Sequence, residues 1–233
     1  PGAHAVAVIS TDLHAEIDRI RFGDDHVGVA VVDHSGKHAL AVTGQVPVAG
    51  LPDPKGGAVY AFDPSRLASE QDRVRTAAPG NPVAVMMTPD GSASYVALRA
   101  RDVIVPLEWL PSGAVRHKDP IEACDQPEQI ELVRRERRMV VRCFGGRSLE
   151  VFGLRTGQLL RHVPLHAPAT DLAITPDGRQ ALVALPDQDR GALAIVGLRS
   201  FEVESVPLGA APSRVRVAPD GSGALLLSDR AKV

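Results

Sequence analysis

The residues of this 233-residue chain best suited to hold a metal or move a proton are among its eight histidines and a scatter of carboxylates. His4, His26 and His166 lie in segments between apolar runs, and Asp24 and Asp25 directly precede His26. Imidazole and carboxylate together suit zinc, copper or iron, but no two of these histidines share the short spacing of a ligand pair. They are weak metal candidates, and solvated loop histidines are the plainer reading. There is no G-x-S-x-G nucleophile elbow and no glycine-rich loop opening a helix around a phosphate. No motif names a cofactor. Cys124 and Cys143 could form a disulfide or remain two buried thiols, since their count alone does not define a redox compartment.

These residues must be positioned by strands. Five apolar runs reach a tight polar turn and return as a second apolar run: VGVAVVDHSGKHALAV from Val27, VAVMMTPDGSASYVAL from Val83, IELVRRERRMVVRC from Ile130, LAITPDGRQALVAL from Leu172 and VRVAPDGSGALLLS from Val215. Taking Gly36, Gly91, Glu136, Gly178 and Gly221 as equivalent, the copies recur at intervals of 55, 45, 42 and 43 residues, with 48 from Gly221 round through the chain ends to Gly36. A period of about 40 to 50 residues with four strands per copy is what a propeller blade requires. Proline sets φ, aspartate bonds its own backbone and glycine accepts positive φ, so the Pro-Asp-Gly turns predict hairpins. Third strands are expected at AVYAF from Ala58, VIVPL from Val103, SLEVF from Ser148 and ALAIV from Ala192, followed by more polar outer strands such as VESVPL from Val203.

The expected architecture is an all-β, five-bladed β-propeller of four-stranded antiparallel blades forming one domain over residues 1–233. Blades one to four take about 26–80, 81–125, 126–167 and 168–210. The fifth is shared between 1–25 and 211–233, with AVAVI from Ala5 and AEIDRIRF from Ala15 as its third and fourth strands. Such sharing closes the ring and covers its open edges, so the repeat is expected to be complete.

The phrases "ITPDGRQALVAL" and "MTPDGSASYVAL", a third strand like "GALAIVGL" and a return like "VESVPLGAAPSRVRVAPDG" resemble the YVTN or YncE-like β-propeller repeats of bacteria. The likeness runs over nearly the whole chain. It departs at blade three, where RRER replaces the Pro-Asp-Gly turn, and at the insertion QVPVAGLPDPKGG from Gln45. The resemblance implies a binding or interaction scaffold more often than an enzyme.

Propeller ligands usually enter at the mouth of the central channel. Alignment puts His26, Asn81 and Gln126 at one rim position and Gln129, Asp171 and Arg214 at another, three residues further in. Asp171 and Arg214 then form either a structural ion pair or a pair gripping a ligand. Glu128 and Asp171 are the acidic candidates on inner strands, in no motif resembling a glycosidase. Arg134, Arg135, Arg137 and Arg138 crowd one hairpin tip, either a solvated turn or a patch for an acidic protein surface, a phosphate or a lipid headgroup. The Gln45 to Gly57 insertion is the first choice for a partner contact or channel lid.

Composition narrows the partners. Twenty-six Lys and Arg against 28 Asp and Glu leave a net charge of −2, and aromatics are 3% with Trp109 the single tryptophan, so nucleic-acid binding is not expected. No apolar run is long enough for a membrane-crossing helix. The chain reads as soluble, with export after removal of a leader compatible with it. The expected function is a non-catalytic module binding another protein, or a small molecule at the channel mouth. The alternatives are a lyase or lactonase-type hydrolase, metal-dependent or not, at the top of the channel, and an accessory subunit of a larger cofactor-bearing complex.

Overall fold

Strands joined by turns dominate the described residues of a computed structural model, which are 5–10, 12–22, 26–44, 56–65, 73–133, 137–187 and 190–228. Its contacts divide it into two compact units, Pro1–Glu122 and Ala123–Val233.

The first unit opens with the antiparallel pair β1 (Ala5–Ser10) and β2 (Ala15–Arg21). A four-stranded sheet follows, ordered β3 (Val27–Val32), β4 (Ala39–Thr43), β5 (Ala58–Phe62) and β6 (Val74–Ala77). The next sheet runs β7 (Pro82–Met87), β8 (Ser94–Leu98), β9 (Val103–Trp109) and β10 (Val115–His117), with β11 (Ile121–Glu122) also pairing with β9. In the second unit, β12 (Pro127–Val133), β13 (Arg138–Cys143), β14 (Ser148–Gly153) and β15 (Leu159–Pro164) form one sheet. Another consists of β16 (Asp171–Ile174), β17 (Gln180–Asp187), β18 (Arg190–Gly197) and β19 (Val203–Leu208), and β20 (Arg214–Val217) and β21 (Ala224–Leu227) form a final pair.

Four antiparallel sheets are four-strand meanders, one of them with β11 added. The strands expected to share the fifth blade, β1–β2 and β20–β21, are each a two-stranded sheet in their own unit. Each has the strand pairing of half a blade.

Alternation explains why the blade strands read as unbroken apolar runs. Successive side chains of a strand point to opposite faces, and a central strand here serves two cores. In β17, Ala181, Val183 and Leu185 pack in the core against β12–β15, while Leu182 and Ala184 pack in the core against β20–β21. In β4, Leu40 and Val42 face one core, and Ala39 and Ala41 face the other. Facing sheets that share such strands have no solvent side to mark with polar residues.

The turns carry their own polar wiring. Thr88 N–H donates to the Ala93 carbonyl (2.8 Å), Gly91 N–H donates back to Thr88 (2.8 Å), and the Thr88 hydroxyl donates to Asp90 (2.7 Å). Thr175, Asp177, Gly178 and Gln180 repeat the arrangement. Hydrogen bonds from Thr88 and Ser92 hold the Asp90 carboxyl down to about 2. In blade one Asp33 takes the threonine's place. Burial pushes its carboxyl up, but the His38 ring, the Ser35 hydroxyl and the His38 N–H outweigh that and hold it well below the ordinary range. Gly36, Gly91, Gly178 and Gly221 all have φ between 70° and 76°. Arg137, just before β13, is also in the left-handed region, at φ 49°.

The four glycines share a φ but not their surroundings. A Cβ on Gly36 meets nothing within 4 Å, whereas one on Gly91 comes within 3.2 Å of the Asp33 carboxylate. Gly36→Ala should therefore cost only the left-handed strain, about 1 kcal/mol, and Gly91→Ala distinctly more. Urea-denaturation midpoints of the two variants check this, with a lower midpoint expected for Gly91→Ala.

Candidate functional site

In the second unit, the inner strands β12, β16 and β20 lie in sequence and carry the unit's main cluster of ionisable groups away from the turns. Their spacing from one sheet to the next leaves backbone groups that no ladder partner reaches, so side chains must satisfy them.

Gln129 does this from β12. Its Nε2 donates to the Leu172 carbonyl (2.8 Å), and its Oε1 accepts from the Leu172 N–H (3.1 Å). Asp171 does the same from β16: its Oδ2 accepts from the Val215 N–H at 2.9 Å and from Arg216 at 2.7 Å. Gln129 and Asp171 occupy equivalent repeat positions, and each grips the N–H one residue beyond the equivalent position on the next inner strand. They are latches between neighbouring sheets.

Arg142 of β13 supports the first latch. Its guanidinium is buried and donates to Glu128 (2.9 Å), to Gln129 (3.2 Å) and to the Ala169 carbonyl. A register shift between Pro127 and Gln129 makes both neighbours available to it. A bulge breaks strict alternation, so Glu128 and Gln129 can approach the same guanidinium. The shift recurs at Val27/Val29 and Pro82/Ala84, which makes it part of the repeat. Arg142 was not singled out from the sequence. The available signal was an arginine interrupting MVV-R-C in a second strand that ought to be wholly buried.

Glu131 was also missed. It accepts from Gln129 Nε2 at 3.0 Å. Burial pushes its carboxyl up, the bond from Gln129 opposes this, the Asp171 charge adds to it, and Arg216 opposes it, with a net rise. A carboxyl inclined to keep its proton thus sits near Asp171, which is paired with Arg216, and two carboxyls in different surroundings are the arrangement that acid–base chemistry uses.

The remaining expectations resolve as follows. The partner of Asp171 is Arg216, not Arg214; both point to one face of β20, and only Arg216 sits at bonding distance. Asn81 and Gln126, at equivalent rim positions, are both left-handed, at φ 57° and 55°. The Asn81 carbonyl accepts from Arg99 N–H and the Gln126 carbonyl from Phe144 N–H, so both positions make backbone turns. His26 and His166 are exposed in loops of their respective units. His4, Asp24, Asp25, Arg134, Arg135 and residues 45–55 of the insertion lie outside the described residues. Arg137 is exposed, and Arg138 donates to the Leu198 carbonyl at 3.1 Å, which ties it to the next sheet. Cys124 and Cys143 are joined as a disulfide. Among the described residues no helix is long and apolar enough to cross a membrane.

This fold is of the β-propeller type, as comparison with solved structures shows. The chain is similar to Kuenenia stuttgartiensis hydrazine synthase, at 17% identity and TM-score 0.67, over 82% of this chain and 52% of that one. It is similar to a candidate 6-phosphogluconolactonase from Bacteroides uniformis ATCC 8492, at 11% identity and TM-score 0.71, over 96% and 70% of the two chains. A second such candidate, from Bacteroides fragilis NCTC 9343, matches at 16% and TM-score 0.63 over 90% and 66%. This chain spans about half the length of the hydrazine synthase chain it matches. At these identities the likeness is one of fold. No family model and no curated relative matches the sequence.

Two outcomes test the latch. Asp171→Ala strands the buried Val215 N–H and should cost about 2 to 3 kcal/mol, Arg216→Ala about 1 or less because its side chain is 60% exposed, and Arg214→Ala close to nothing, all read from denaturation midpoints. Glu131 sets a pH dependence. A carboxyl whose folded-state value is raised contributes fully below the ordinary glutamate range, and that contribution is lost as pH rises through the raised value. Glu131→Gln should therefore gain stability relative to the parent as pH rises above the ordinary glutamate range, measured as the difference in melting temperature between the two proteins along a pH series.

Proposed function

We propose that this chain is a β-propeller module of the YVTN/YncE-like kind that binds another protein without catalysing a reaction and belongs to a larger assembly. The observation that carries this reading is β21. The second strands of the other hairpins, β4, β8, β13 and β17, are largely buried, and ALLL in β21 is as apolar as their sequences. Yet Leu225 is 74% exposed and Leu227 56%, and among the described residues β21 pairs only with β20. An apolar strand with an unpaired edge invites an added strand, one of the recurring ways a sheet takes a partner.

The inner-strand polar groups support the same view. Gln129, Glu128, Arg142 and Asp171 hold the sheets to one another, and groups committed to structure are poorly placed to turn over a substrate. The likeness to a hydrazine synthase chain is compatible with assembly. A second reading, a lactonase-type hydrolase, draws on Glu131 beside Asp171 and on the fold shared with the two lactonase candidates, which is analogy alone.

Amide hydrogen exchange across Ala224–Leu227 decides between an open and a covered edge. In the isolated protein these amides should exchange fast, and they should become protected in the assembly purified from the native source. Slow exchange in the isolated monomer would overturn the assembly reading. Incubation with 6-phosphogluconolactone should leave lactone loss at the spontaneous rate. An acceleration that disappears in a folded Glu131→Gln variant would establish the hydrolase instead.

A further inference from the structure

One face of the β12–β15 sheet carries a donor set with no part in the latches. Cys143 ends β13, Glu150 pairs with Val141 across β13–β14, and His162 pairs with Glu150 across β14–β15, so these side chains lie on the face opposite Arg142 and Leu149. Cys124 enters the same spot from the segment before β12. One ligand atom from each of Cys124, Cys143 and Glu150 lies within 4.8 Å of the others, and all three residues are buried, at 8%, 0% and 8% exposure. His162 Nδ1 stands 3.4 Å from Glu150 Oε1, with its own side chain 53% exposed.

A disulfide needs no carboxylate beside it, and burying one is unfavourable unless something compensates its charge. Two sulfurs, a carboxylate and a histidine behind the carboxylate form a donor set suited to a zinc ion. We propose that Cys124, Cys143 and Glu150 constitute a redox-controlled zinc site: the disulfide is its closed form, and the reduced dithiol binds a divalent zinc ion with His162 orienting Glu150. Thiolate ligation at about 2.3 Å around a tetrahedral ion separates two sulfurs by about 3.7 Å, a spread that side-chain rotation supplies once the S–S bond is broken. Two thiolates and one carboxylate supply three negative charges against the two positive charges of the metal.

The two forms exclude each other. Zinc entry into the dithiol releases two protons as two Zn–S bonds form. Oxidation by a peroxide reverses it: each thiolate gives up one electron, the S–S bond forms, the O–O bond of hydrogen peroxide accepts both electrons and two protons to give two waters, and the zinc ion leaves. Binding is therefore expected only in the reduced protein and to fall with pH as the thiols gain protons.

The test uses the full chain, reduced and desalted without oxygen, titrated with cobalt(II) as a spectroscopic stand-in and then with zinc. One equivalent should bind, with a thiolate-to-cobalt charge-transfer band and the visible bands of tetrahedral geometry, and the disulfide form should show neither. Cys143→Ser should abolish the charge-transfer band of the two-thiolate site. His162→Ala, at an exposed position that leaves the core intact, should weaken zinc binding about 10- to 100-fold, and Glu150→Gln at least as much. Hydrogen peroxide should then release one equivalent of zinc to a chromogenic chelator. Failure of the reduced protein to bind, equal binding by the disulfide form, or unchanged affinity in both His162→Ala and Glu150→Gln would overturn the proposal.

Discussion

A side chain that reaches across from one inner strand to the backbone N–H of the next is the interaction on which the second unit depends. Sheets stacked face to face cannot extend their ladders into one another, so each junction leaves inner-strand amides to be satisfied by other means. Gln129 meets this at Leu172 and Asp171 at Val215, from equivalent positions one repeat apart. The two use different chemistry for one geometry. A neutral amide can both donate and accept and closes two bonds with one residue, whereas a carboxylate accepts only and recruits Arg216 to balance its charge.

The latch has consequences outward and inward. Outward, Arg142 is held among Glu128, Gln129 and the Ala169 carbonyl, and this buried ion pair is tolerated because every donor direction used has an acceptor. Inward, Glu131 shares Gln129 with Leu172, so the raised carboxyl is tied into the same network. A group that binds the sheets together cannot also be free to move with a substrate. It is one support for the proposed reading of this chain as a binding module.

The strands that flank the latch obey a different constraint. Because β17 and β4 each supply two cores, their residues are mostly alanine, valine and leucine, and a change on either face is felt by one neighbour only. The sheet β12–β15 shows how far this two-sidedness can go: its Arg142 face locks to the next blade, and its Cys143 face gathers sulfur and carboxylate. One element thus carries a structural device and a chemical one without interference, since the pleat separates them.

The sequence by itself determined the repeat and most of its strands. The 42- to 55-residue intervals, the Pro-Asp-Gly turns and the apolar runs are local signals, and AVYAF, VIVPL and SLEVF appear as β5, β9 and β14 because periodicity and turn chemistry act over a few residues. It also brought Glu128, Gln129 and Asp171 to attention by aligning the copies. Only the tertiary structure decided what they do. The partner of Asp171 is Arg216 rather than Arg214, Arg142 is drawn in by a bulge, and Glu150 comes to the sulfurs by cross-strand pairing. Each of these depends on distances between residues far apart in the chain, which strand register and sheet stacking fix and sequence spacing does not.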